Sequence, residues 1–288
     1  MSEKIKIIEC PRDAMQGIKE FIPTEKKIQY IQSLLRCGFD TIDFGSFVSP
    51  KAIPQMVDTA EVLARLDLSV TESKLLAIIA NVRGANDAAQ HGEIDYLGYP
   101  FSISENFQMR NTHKTIAESV ETLQEILNIA DKSNKQVVAY LSMGFGNPYG
   151  DPWNVEIVGE WTEKLSTMGV KILSLSDTVG TSNPEIIEYL YANLIPKYPE
   201  IEFGAHLHTT PTTWHEKIDA AYKAGCRRFD GAIQGFGGCP MAKDELTGNM
   251  PTERMLSYFT TEKADTNVRM MSFESSHNEA TKIFSSYH

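Results

Sequence analysis

Short apolar segments alternate with longer amphipathic ones along the 288-residue chain, and this alternation constrains the fold most. Eight short segments have the composition of strands: residues 4–10, 39–45, 74–80, 94–100, 135–142, 171–177, 201–206 and 227–233. Their starts lie about 32 residues apart on average, near the roughly 30 residues of a strand–helix–strand unit. The pattern predicts parallel strands joined by helices, and eight such units favour an α/β fold, the closed (β/α)8 TIM barrel.

The segments between the strands carry the helical repeat. A helix is predicted over residues 24–38, and a longer one over 112–134 that begins at Thr112. We expect a catalytic barrel over residues 1–262 and a short C-terminal extension over 263–288. The extension allows three interpretations, namely an extra helix, a lid or a dimer arm.

Composition and charge exclude several classes of partner. The net charge of −11 disfavours a nucleic-acid binder, which needs a basic surface. No stretch approaches 18 apolar residues and no secretory signal is recognisable, so we expect no membrane association. The four cysteines form no CxxC pair, which favours reduced thiols and a cytoplasmic location.

The unusual polar residues cluster at the predicted strand ends, where the carboxyl-terminal face of a barrel builds its function. They follow or end strands one, two, six, seven and eight: Arg12, Asp13, Asp43, Asp177, His206, His208, Cys239 and Asn249.

A metal site is the first hypothesis for these residues. His206 and His208 are two residues apart on a strand, so both imidazoles lie on one face. Strand one lies near strand seven in a closed barrel, which brings Asp13 within reach, and Asn249 adds a carbonyl oxygen. Two nitrogens and two oxygens suit Mg²⁺, Mn²⁺ or Zn²⁺ with a chelating substrate.

Two further residues have the chemistry of a catalyst. Cys239 lies in a glycine-rich loop, where a thiol beside a bound substrate serves as an acid or base. Arg12 has a permanent charge that stabilises a developing oxyanion. The alternative for Arg12 is a structural ion pair with Asp43 or Asp177, and the two roles are compatible.

Five segments occur in an order that resembles the 3-hydroxy-3-methylglutaryl-CoA lyase family, within the wider group of metal-dependent TIM-barrel lyases and condensing enzymes. They are PRDAMQ (11–16), SFVSPKAIPQM (46–56), SLSDTVG (174–180), AHLH (205–208) and GFGGCP (235–240), and the likeness covers residues 4–262. The resemblance implies retro-Claisen cleavage of an acyl-CoA to acetyl-CoA and acetoacetate, in a homodimer. It implies that Asp13, His206, His208 and Asn249 bind the cation.

The resemblance also implies roles for the remaining site residues. Arg12 would hold the thioester oxygen, Cys239 would be the acid/base, and Asp43, Asp177 and Glu253 match acidic positions that support the site. The chain departs from the family pattern at several positions near these residues: Cys10, Ala14, Asp43, Met143, Asn147, Thr209 and Arg254. These departures leave the exact acyl group open. The alternatives are a related aldolase or condensing enzyme and a catalytically silent barrel.

Overall fold

Eight parallel strands close into a barrel in the computed structural model, which describes residues 4–238 and 247–287. The strands, β1 to β8 in chain order, are Lys6–Glu9, Thr41–Ser46, Lys74–Ile78, Tyr96–Ser102, Gln136–Ser142, Ile172–Ser176, Glu202–His206 and Arg228–Gly231. Strand β1 pairs with β2 on one side and with β8 on the other, which closes the sheet. The predicted (β/α)8 barrel is confirmed, with each strand within about two residues of its expected position.

Eleven α-helices occur in the described residues, of which nine lie between successive strands and two follow β8. They are α1 (Pro11–Gln16), α2 (Thr24–Leu35), α3 (Thr59–Ala64), α4 (Val82–Ala89), α5 (Glu105–Thr112), α6 (Ile116–Lys132), α7 (Val155–Met168), α8 (Pro184–Lys197), α9 (Trp214–Lys223), α10 (Thr252–Thr261) and α11 (Met270–Tyr287). None of the helices in this described part of the chain is both long and apolar enough to cross a membrane.

The two faces of each strand bury different side chains. In β5, Val137, Ala139 and Leu141 pack outward against the helices, whereas Val138 and Tyr140 point into the barrel. The same alternation puts the side chains of Glu202 and His206 on one face of β7. Polar residues on the inner face therefore approach the barrel axis, and those near the carboxyl ends reach its mouth.

A two-residue ribbon adds a feature that the strand pattern did not predict. His208–Thr209 pairs with Gly248–Asn249 in antiparallel orientation, and Asn249 lies directly opposite His208. The ribbon therefore brings Asn249 beside the residues that directly follow β7.

The C-terminal extension contains a helix, α11, in agreement with one of its three predicted forms. Phe284 of α11 packs edge-on against Tyr30 of α2, with the ring centroids 6.0 Å apart. The hydroxyl of Ser276 lies 3.2 Å from the Cys37 sulfur just after α2. A domain boundary at residue 262 stays a prediction.

Candidate metal centre

Three side chains converge at the mouth of the barrel. Asp13 in α1, His206 at the end of β7 and His208 in the ribbon each present one ligand atom, and these atoms lie within 4.8 Å of one another. Within residues 4–238 and 247–287, this is the one group of three such side chains close enough to share a cation. Two imidazoles and a carboxylate at this spacing are a typical donor set for a divalent transition metal or Mg²⁺.

The imidazole of His208 has one nitrogen, Nε2, whose lone pair accepts no hydrogen bond. Its Nδ1 lies 3.1 Å from the carbonyl oxygen of Thr178, which only accepts hydrogen bonds, so Nδ1 carries the proton. Burial, followed by the repulsion of His206, lowers the pKa of His208 to about 4, and the ring is neutral at pH 7. Its Nε2 is buried and has no hydrogen-bond partner. A buried lone pair of this kind fits a cation.

Asp230 orients the second imidazole. Its Oδ2 lies 3.1 Å from the Nδ1 of His206, and the Asp230 side chain is almost fully buried. Burial alone would lower the pKa of His206, but the hydrogen bond and charge of Asp230 raise it. With Nδ1 bonded to a carboxylate, Nε2 is the atom left for a cation, which is the usual arrangement around metal-binding histidines.

Asp13 is held in place by three donors. Its Oδ1 accepts hydrogen bonds from Arg12 (2.9 Å) and Gln16 (2.6 Å), and its Oδ2 accepts one from the Asn249 amide (2.6 Å). Burial raises the pKa of Asp13, but Arg12, His206 and Asn249 together bring it below its usual value. The carboxylate is therefore ionised at neutral pH. The same amide nitrogen of Asn249 also donates to the Phe236 carbonyl, so its side-chain oxygen remains for a cation.

The sequence left Asp43 and Asp177 open as ion-pair partners of Arg12. In the structure Arg12 pairs with Asp43. The Nε of Arg12 lies 3.1 and 3.2 Å from the two carboxylate oxygens of Asp43. Both side chains are less than a tenth exposed. Burial raises the pKa of Asp43 to about 6, against the attraction of Arg12, so the carboxylate is ionised at pH 7 and above. The ion pair fixes the guanidinium between Asp43 and Asp13.

The other predicted acidic residues lie outside this cluster of contacts. Asp177 accepts hydrogen bonds from the Ser182 hydroxyl (2.5 Å) and from the Lys217 ammonium (2.8 Å). The same ammonium donates to the carbonyl of His208 at 2.8 Å, so Asp177 supports the ribbon through Lys217. Glu253 accepts a hydrogen bond from the backbone N–H of Gln234 at 3.0 Å. Cys239, the predicted acid/base, lies outside the described residues.

A cavity of about 260 Å³ opens beside the metal cluster. Eight of its twelve lining residues carry a hydroxyl group or a charge; the twelve are Pro148, Val179, Gly180, Thr181, Ser182, His208, Thr209, Thr210, Thr213, Glu216, Lys217 and Thr247. Since His208 belongs to both the cavity and the cluster, a ligand chelated at the cluster has room for a polar group here. Thr209 stands in this wall at a position where the family pattern has an aspartate.

Sequence reasoning missed Glu9 and Asp230. Asp230 is two residues after Arg228, and this alternation of charges along an apolar strand was the available signal. Glu9 precedes the Pro-Arg-Asp segment and is fully buried. Its carboxylate accepts hydrogen bonds from the Ile233 N–H (2.9 Å) and the Thr252 hydroxyl (2.6 Å), and burial raises its pKa to about 8.

We expect the protonation of Glu9 to make stability fall as pH rises. The folded pKa of about 8 exceeds the ordinary value of 4.5, so between these values the native state binds the extra proton. Stability therefore decreases by up to about 1.4 kcal/mol per pH unit across this window and levels off above pH 8. Glu9→Gln mimics the protonated form and removes this component. Denaturant unfolding of metal-free protein from pH 5 to 8.5 measures it, and parallel curves for wild type and variant would contradict the assignment.

Comparison with known proteins places these residues in a family context. The family model described as HMGL-like matches residues 4–278. Hydroxymethylglutaryl-CoA lyase YngG of Bacillus subtilis is 35% identical over 271 residues, which cover 93% of this chain and 89% of that protein. The structure of the HMG-CoA lyase from Brucella melitensis superimposes with a TM-score of 0.90 at 29% identity, over 98% of this chain and 99% of that one.

A third relative was solved with bound ligands. It is an HMG-CoA lyase from Acinetobacter baumannii in complex with coenzyme A and 3-methylmalate, with a TM-score of 0.88 and 28% identity. The match covers 97% of this chain and 90% of that one.

Proposed function

This chain belongs to the HMGL-like family and is a hydroxymethylglutaryl-CoA lyase-like carbon–carbon lyase, and we propose that it cleaves a 3-hydroxy-3-methylglutaryl-CoA-type thioester to acetyl-CoA and acetoacetate. The observation that carries the proposal is the buried, unpartnered Nε2 of His208 beside Asp13 and His206. A relative with coenzyme A and 3-methylmalate bound supports a CoA thioester of a hydroxy acid as the substrate.

We propose that Asp13, His206, His208 and Asn249 hold one Mg²⁺ or Mn²⁺, with Zn²⁺ as the alternative. When bound there, the cation supplies Lewis-acid polarisation of a substrate hydroxyl and carboxylate. The residues around it fit this role because Asp13 is ionised, both histidines have Nε2 free, and Arg12 and Asp230 fix the ligand geometry.

The geometry leaves Arg12 with donors for the reaction. Its Nε–H and one N–H on each terminal nitrogen are used by Asp43 and Asp13, so two of the five N–H groups remain. A thioester oxygen at the mouth would accept these donors, and its negative charge would grow as the carbon–carbon bond breaks. Since the guanidinium is already fixed, it stabilises this charge without reorganisation.

The proton that ends the reaction needs a donor at the acetyl carbon. From the family resemblance we propose Cys239, which follows the glycines of segment 235–238 in the sequence. Asp177 and Glu253 support the site from outside it: Asp177 acts through Lys217 on the His208 backbone, and Glu253 through the N–H of Gln234. A homodimer, which rests on the resemblance, and a cytoplasmic location, which rests on the cysteine pattern, are further proposals.

A panel of 3-hydroxyacyl-CoA thioesters, assayed for acetyl-CoA with Mn²⁺ or Mg²⁺ added, tests the function. We expect turnover with a 3-hydroxy-3-methylglutaryl-type acyl group, and Cys239→Ser should keep the metal but lose most of that turnover. Cleavage of a free hydroxy acid without cleavage of any thioester would instead support the aldolase alternative. The departures at Thr209 and Asp43 make acyl groups of different length the informative members of the panel.

A further inference from the structure

Helix α11 contacts the segment that follows β8 as well as α2. The ring of Phe284 in α11 stacks on the ring of Phe236, with centroids 4.3 Å apart and an angle of 26° between the planes. The side-chain amide of Gln234 donates to the Thr281 hydroxyl at 2.5 Å and lies 3.3 Å from the Nε2 of His277. The C-terminal helix therefore holds residues 234 and 236 by a stacked ring pair and by polar contacts.

The same segment holds Asn249. The carbonyl oxygen of Phe236 accepts a hydrogen bond from the Asn249 amide at 2.8 Å, and that amide also donates to Asp13 at 2.6 Å. The next residue, Gly237, has φ +84°, and a Cβ there would lie 2.6 Å from the Asp13 carbonyl oxygen and 2.9 Å from the Asn249 amide nitrogen. The segment is thus packed against Asn249 and Asp13 with no space for a side chain between them.

We infer that α11 is a positioning element for the metal centre, acting through the Phe284–Phe236 stack on the carbonyl that orients Asn249. The Asn249 amide has two acceptors, the Phe236 carbonyl and Asp13 Oδ2, and together they set the direction of its side-chain oxygen. If Phe236 shifts, the amide loses one acceptor and the oxygen leaves the position required of a ligand. This inference rests on the proposed cation site and gives the C-terminal extension a role in it.

Substitution of Phe236 tests the inference with a readout that does not depend on turnover. We expect Phe236→Ala to weaken Mn²⁺ binding about tenfold or more, as losing an outer partner of a metal ligand does. Phe236→Tyr keeps the stacked ring and should bind within about twofold of wild type. Calorimetric titration with Mn²⁺ measures the affinity, and thermal unfolding of the metal-free proteins shows whether each variant is folded. Wild-type affinity in Phe236→Ala would overturn the inference.

A pair of threonine variants covers the case in which Phe236→Ala does not fold. Thr281 and Thr261 are both exposed helical threonines that bond to a carbonyl four residues earlier, but Thr281 also accepts the Gln234 amide. Thr281→Val should weaken Mn²⁺ binding measurably, by at most about tenfold, which corresponds to the full net free energy of one hydrogen bond. Thr261→Val should leave binding unchanged. Equal affinities for the two variants would overturn the inference.

Turnover separates this inference from the proposed function. In Phe236→Ala, raising the Mn²⁺ concentration should restore kcat, because the defect lies in cation affinity. If the wild type binds Mn²⁺ but cleaves no thioester, the lyase proposal fails and the positioning role stands. If the wild type cleaves thioesters and Phe236→Ala matches its Mn²⁺ affinity, the positioning role fails and the lyase proposal stands.

Discussion

His206→Ala is expected to abolish Mn²⁺ binding. The substitution removes one of three clustered ligands and leaves the Asp230 carboxylate without the imidazole that it contacts in the folded protein. Only Asp13, His208 and Asn249 of the four proposed ligands would remain, with a single imidazole among them, and the charge of Asp230, no longer contacted by His206, disturbs the same site. Calorimetric titration at pH 7.5 and metal analysis after dialysis should both show the loss, with the bound fraction falling from about one per chain to near zero.

His91 provides the matched control for this experiment. It lies in the loop between α4 and β4, its ring contacts Phe47, and it is not one of the clustered ligands. His91→Ala should keep full metal occupancy. Full occupancy in His206→Ala as well would show that the cation binds elsewhere and would remove the cluster from the proposed mechanism.

The barrel could be predicted from the sequence because its determinants are local and repeated. Each strand carries its own apolar pattern, and the parallel order follows from the helix between successive strands. The start of α6 was wrong for an equally local reason. Thr112 is the last residue of α5, and Thr115 caps α6 through a reciprocal bond with Glu118, so the true start is Ile116.

The sequence predicted the site residues that lie at the ends of the barrel strands, but not the contacts that other residues make with them. The positions of Asp13 and His206 follow from the barrel itself, because β1 and β7 both neighbour β8. The pairing of Asn249 with His208 depends on a two-residue ribbon, which has no periodic signal. Asp230 was missed because a buried charge on an inner strand face is recognisable only once the partner that satisfies it is known.

The balance of charge at the mouth explains why Arg12 and a cation belong together. Asp13, Asp43 and Asp230 are all almost fully buried, and Arg12 faces two of them. Arg228, also fully buried, interacts with the charge of Asp230, but three buried carboxylates still outnumber the two guanidiniums. A dication beside Asp13 would offset this excess of negative charge. The acidic net charge of −11 is therefore compatible with an anionic substrate, because a cation bound at the mouth would offset the negative charge of the carboxylates there.

Replacing Arg12 by glutamine should have the second large effect, on both turnover and stability. Asp43 and Asp13 would lose their shared cationic partner, and breaking a buried ion pair costs about 3–5 kcal/mol of unfolding free energy. The fixed donors for the thioester oxygen would also be lost, so kcat should fall by about 10² to 10³ or more. Denaturant unfolding and the acetyl-CoA assay at saturating Mn²⁺ measure the two effects separately.

The double variant Arg12→Gln with Asp43→Asn distinguishes the contribution of Arg12 to stability from its contribution to catalysis. The amide at position 43 removes the unpaired carboxylate, so most of the lost stability should return, because a neutral buried pair tolerates the missing charge. Turnover should stay as low as in Arg12→Gln, since the guanidinium that would face the thioester oxygen is missing from both proteins. Recovery of turnover together with stability would show that Arg12 serves only to neutralise Asp43. Recovery of stability alone would show that the charge of Arg12 acts on the reacting oxygen.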